Sequence, residues 1–161
     1  MRCCEEPALF RMLWAEKSLV ELQTVLISCG YTKEQAALRL RKMREAFPEA
    51  SVSFPKSLLA CCPGIVAESH KNVFAAAIRE NAHVIVTWDT TMFPQELAEE
   101  FDIYVQSPDE FLLHQAHLNP DRVQDALDAQ AATHRMSRSA LLLKLAQQLP
   151  SFESELRLRK F

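Results

Sequence analysis

His83-Val84-Ile85-Val86-Thr87-Trp88-Asp89 is the stretch that decides the fold. The run is continuous, apolar and rich in β-branched side chains, so it reads as a strand buried on both faces. Just before it, residues 69–81 are alanine-rich, with Val73, Phe74, Ala77 and Ile78 spaced to face inward from a helix. After it, Pro94 opens a short helix to Phe101, and Ile103-Tyr104-Val105 predicts a second strand. The order helix, strand, helix, strand requires crossover connections and so a parallel α/β sheet.

Toward the N-terminus, apolar residues recur at helical spacing over 7–29, with a break at Ala15 and a stop at Gly30. Thr32-Lys33-Glu34-Gln35 spells a capping box, so a helix follows to Ala46, and Pro48 ends it. Residues 50–54 alternate and read as a short edge strand, and 55–64 as irregular chain. Toward the C-terminus, Ser107-Pro108-Asp109-Glu110 and Asn119-Pro120-Asp121 each announce a helix start. Ser137 opens a third helix, which Pro150 is expected to stop.

Composition narrows the function classes. The 161 residues suit one compact domain with its own core. There are only two glycines, Gly30 and Gly64. That is too few for the turns of a sandwich or barrel, or for a glycine-rich phosphate loop. The net charge of −3 supplies no global basic field for nucleic acid. No apolar run is long enough for a membrane span. Met1-Arg2-Cys3-Cys4-Glu5-Glu6 carries two acids before any apolar stretch, which predicts a cytoplasmic protein without a secretory signal. The five cysteines, Cys3, Cys4, Cys29, Cys61 and Cys62, match neither a zinc pattern nor a disulfide framework, and read as reduced, mostly buried thiols.

In a parallel α/β sheet, function gathers past the carboxyl ends of the strands. Asp89 stands there. Two readings of it are open: a hard oxygen ligand for Mg²⁺ or Mn²⁺, or the start of an Asx turn into the following helix. Glu21 lies mid-helix and, alone, reads as a surface acid. His114 and His117 are three residues apart on a helix, a candidate ligand pair without a third member in sequence reach. The run Lys33, Arg39, Arg41, Lys42, Arg44 offers a basic helix face that could track an RNA backbone.

Three segments carry a resemblance. Asn72-Val73-Phe74-Ala75-Ala76-Ala77-Ile78, then Ala82 through Asp89, then Phe93-Pro94, resemble a PIN domain. Gln106-Ser107-Pro108-Asp109-Glu110-Phe111-Leu112-Leu113 is similar to the next stretch of VapC-like toxins with a C-terminal helical extension. Trp14 leading to Glu21, and Ala46-Phe47-Pro48 through Val52, match the same subgroup more loosely.

The resemblance implies a Rossmann-like α/β/α sandwich with a largely parallel sheet. Residues 1–106 would form the PIN-like domain and 107–161 the helical extension. It further implies a ribonuclease in which about four acids hold Mg²⁺ or Mn²⁺ that activates water against the phosphodiester. RNA as substrate, a cognate antitoxin and a homodimer are the implied partners. Carried over by position, the second acid is Glu21 and the fourth Asp89. The third falls on His70, a histidine in place of a carboxylate, with Glu68 two residues away as a substitute. The first lies on a central N-terminal strand that has no counterpart here. The chain is therefore expected to begin after that strand and to leave residues 83–88 with an open apolar edge. His70 would favour Mn²⁺ or Zn²⁺ over Mg²⁺. With two of the four acids, metal-dependent cleavage is expected to be weak or absent. The alternative is a non-catalytic PIN-fold module that binds RNA, through Arg41 and Arg44, or a protein.

Overall fold

The computed structural model describes residues 9–158. They divide into two units, residues 12–85 with 89–105 in one, and 9–11, 86–88 and 106–158 in the other.

The first unit is α/β. β1 (Trp14–Ala15) leads into α1 (Glu16–Ser28), α2 (Lys33–Ala46) and β2 (Ser51–Val52). β1 and β2 pair in parallel, Trp14 opposite Ser51 and Ala15 opposite Val52. The helical reading of 9–15 is corrected here: the Trp14 amide donates to the Ala50 carbonyl at 2.9 Å, and this long-range ladder overrides local helical periodicity. The break expected at Ala15 is where α1 begins, and residues 7–8 lie outside the described residues. α1 ends with Gly30 at φ +94°, which lets the Gly30 and Tyr31 amides turn back to Ile27 and Leu26. The capping box of α2 is present: the Thr32 hydroxyl accepts from the Gln35 amide at 3.2 Å, and the Gln35 side chain accepts from the Thr32 amide at 2.9 Å.

After a 3-10 segment (Lys56–Cys61) comes α3 (Glu68–Arg79), then β3 (Val84–Val86), α4 (Gln95–Glu100) and β4 (Tyr104–Gln106). α3 is the organising helix. Its Ala76 packs with Ala15 and Val52, while Phe74, Ala75 and Ala77 join Ile85, Phe93, Leu97 and Ile103. β3 pairs with β4. Their bonds advance together, Tyr104 amide to His83 carbonyl and Thr87 amide to Gln106 carbonyl, so the pair is parallel. Burial of residues 83–88 is one-sided: Ile85 is buried, but Val86 is 44% and Trp88 60% exposed. The alternation of side chains puts only one face against α3. The expected α/β class stands, with the described strands forming two parallel pairs.

The second unit holds α5 (Pro108–Leu118), α6 (Pro120–Thr133), α7 (Arg138–Ala146) and α8 (Pro150–Leu158). Ala116, Val123, Leu127, Leu141, Leu149, Phe152 and Leu156 form its core. Ser107 and Glu110 make the second capping box. Ser137 caps α7 through the Ala140 amide. α6 starts at Pro120 without a side-chain bond from Asn119. Pro150 does not end the helical region: it opens α8, where a proline's missing N–H costs nothing.

Candidate functional site

Asp89 follows β3 at its carboxyl end and precedes a single 3-10 turn, Thr90–Met92. Its side chain makes no capping bond to that turn, so the Asx-turn reading of Asp89 has no support in the geometry. The Nε2 of His70, in the first turn of α3, lies 3.8 Å from the Asp89 Oδ2. The His70 ring meets Phe93 edge-on at 5.4 Å, and Phe93 stacks on Phe74 at 6.3 Å. Packing of α3 against this aromatic group therefore sets where the imidazole points. Its Nδ1 is buried with no hydrogen-bond partner.

Glu21 is exposed on α1. One turn before it, Lys17 bonds Glu68 at 3.1 Å. Two residues along a helix amount to about 200°, so Glu68 and His70 leave α3 on opposite sides. The substitute carboxylate is thus tied to Lys17 rather than set beside Asp89. Among the described residues, no three of His, Cys, Asp and Glu are grouped to hold a metal ion. The donors that do meet, one imidazole and one carboxylate, do not fit a Mg²⁺ site, which asks for several oxygen ligands in near-octahedral array.

His114 Nδ1 lies 3.4 Å from the Gln106 side-chain oxygen, and His117 Nε2 lies 3.3 Å from Glu155. Each ring serves a separate neighbour.

The basic helix is partly neutralised. Arg44 bonds Glu16 at 2.8 Å, and Arg41 reaches Glu45 at 3.5 Å. Glu16 also accepts from the Ser51 hydroxyl at 2.7 Å, and Ser51 accepts from the Trp14 indole at 2.9 Å. The Ser51 bond first, then Arg44, holds the Glu16 carboxyl below the usual carboxylate range. Arg41 and Arg44 line a hollow of about 350 Å³ between α1 and α2. Nothing in the sequence pattern marked Glu16 as the partner of Arg44, 28 residues away. Of the cysteines, Cys62 is buried, Cys61 intermediate and Cys29 exposed, so burial is not general; Cys3 and Cys4 lie outside the described residues. No described helix is long and apolar enough to cross a membrane.

The VapC50 C-terminal domain model matches residues 108–158, which are α5 through α8. Putative ribonuclease VapC50 of Mycobacterium tuberculosis (strain ATCC 25618 / H37Rv) is 31% identical over 90 residues, 54% of this chain and 53% of that protein. The match thus spans about half the length of that relative. No solved structure matches the chain. The chain is thus similar to VapC50 over α5 through α8 by the family model, and over 90 residues by sequence identity.

Proposed function

We propose that this chain is a cytoplasmic VapC-like protein of a toxin–antitoxin pair whose metal-dependent RNA hydrolysis is weak or lost. In this reading residues 1–106 are the PIN-like domain and 107–161 its helical extension. RNA and a cognate antitoxin are its partners, and a second copy of the chain is a further one. The observation that carries the reading is the contact of Asp89 with His70 at 3.8 Å, at the position where the resemblance calls for a second carboxylate. Glu21 and Asp89 remain as the family's acids, with His70 beside Asp89 as a nitrogen donor. A set with one carboxylate and one imidazole in contact does not gather the charge that Mg²⁺ or Mn²⁺ needs next to a phosphate. The test is cleavage of structured RNA by the purified chain, in Mg²⁺ and then Mn²⁺, beside an Asp89→Ala control. Equal absence of cutting is expected. Metal-dependent cutting that disappears in the control would defeat the loss of activity.

The second reading is a PIN-fold module that binds RNA or protein without cutting. It is supported by the exposed basic residues of α2, Arg41 among them. Arg44 is the weaker candidate because Glu16 engages it. Charge reversal at Arg41 and Lys42 should then abolish RNA binding, while Glu21→Gln and Asp89→Asn leave it unchanged.

A further inference from the structure

We infer that His70 keeps Mg²⁺ away from Asp89, so that a cation position has become a histidine–aspartate contact. This deepens the reading above and rests on it only for the choice of ion.

The argument is one of donors and room. Asp89 is the single carboxylate at this end of β3 that the described geometry places beside His70. Mg²⁺ is a hard ion that gives up water reluctantly and takes oxygen ligands; an imidazole nitrogen is a poor replacement. His70 cannot simply move aside. Its side chain is only 21% exposed, and its ring covers an edge of Phe93, itself 5% exposed. Swinging the imidazole outward uncovers that aromatic surface and costs apolar burial. The buried, unpartnered Nδ1 says the same: the ring is held by packing rather than by a second hydrogen bond. Glu68 is bonded to Lys17, and Glu21 stands exposed on α1. An aspartate at position 70 is shorter than histidine and carries two oxygens. It would leave space beside Asp89 and pair two carboxylates across that space.

The test uses the full chain at constant ionic strength. Mg²⁺ is titrated to about 10 mM, followed by calorimetry, by Tm and by the amide resonances of Asp89 and Thr90. The wild-type chain should show no saturable response. His70→Asp should gain a saturable shift at both amides and a Tm rise of about 3–5 °C. The double variant His70→Asp/Asp89→Asn should lose both. If His70→Asp does not fold, His70→Asn supplies one oxygen in its place and should give the same response at higher Mg²⁺. Saturable binding by the wild-type chain that Asp89→Asn removes would overturn the inference. So would a folded His70→Asp protein that ignores Mg²⁺. Mg²⁺ uptake by the wild-type chain without RNA cleavage would overturn this inference and spare the proposed function. RNA cleavage that needs Mn²⁺ but no Mg²⁺ uptake would do the reverse.

Discussion

Asp109 accepts the Phe152 amide at 2.9 Å, joining the first turn of α5 to the first turn of α8 across 43 residues. The other carboxylate oxygen accepts the Ser151 amide at 3.0 Å. A residue inside one helix thus caps another, satisfying two amides that α8 cannot satisfy itself. Asp109→Ala should cost about 1–2 kcal/mol in urea denaturation. Asp109→Asn, which keeps one acceptor, should cost less. Equal stability of all three proteins would deny the cap any energetic role.

The same carboxylate gives a pH dependence. Partial burial pushes the Asp109 carboxyl up, but the Phe152 and Ser151 bonds outweigh it and hold it below its ordinary value. A folded value below the unfolded one means the stabilisation is complete above the unfolded value, about 3.9, and fades as pH falls through the folded one. The stability gap between wild type and Asp109→Asn should therefore narrow on acidification below about pH 4. A gap that widens there would contradict the assignment.

Glu16 and Arg44 are each about half exposed, so their bond is a surface ion pair despite its 2.8 Å length. A double-mutant cycle on Glu16→Gln and Arg44→Gln should yield a coupling of about 0.5 kcal/mol, shrinking in high salt. Glu16→Ala should exceed either, because Ser51 then loses its acceptor as well.

Phe74 has no exposed surface and stands between Phe93 and Phe101. Phe74→Ala should cost about 3–5 kcal/mol. It should also shift the His70 ring resonances, since Phe93 is the surface on which that ring rests. Unmoved His70 resonances in a folded variant would show that the ring is positioned by something else.

Gly30 takes φ +94°, where a β-carbon is strained although nothing crowds it within 4 Å. Gly30→Ala should cost about 1 kcal/mol through the backbone alone. Asn81, at φ +49°, does the same work at the end of α3, and Asn81→Gly should be neutral to mildly stabilising there. Opposite signs for the two changes would be seen directly in urea midpoints.

What the sequence disclosed and what it hid divide along chain distance. Both capping boxes were legible, because Thr32 with Gln35 and Ser107 with Glu110 are three residues apart. The strand after α3 was legible from its β-branched run, though its one-sided burial was not, since that depends on which face α3 covers. Trp14–Ala15 read as helix because its strand partner is 37 residues away. Pro150 read as a stop because its cap, Asp109, lies outside any local window. In the candidate site, each residue type was visible singly. The contact of His70 with Asp89 needs α3 and β3 to be packed together, which no spacing encodes.

Cys62 offers a built-in clock. The residue is 2% exposed, its thiol is turned toward the Leu58 and Lys71 carbonyls, and burial raises its pKa. A thiol that is both covered and protonated reacts with an alkylating reagent only when the surrounding chain opens. Cys29, exposed past the end of α1, reacts without any opening. The ratio of the two labelling rates therefore measures how often the core around α3 breathes, and any change that loosens Phe74 or Phe93 will be timed by it.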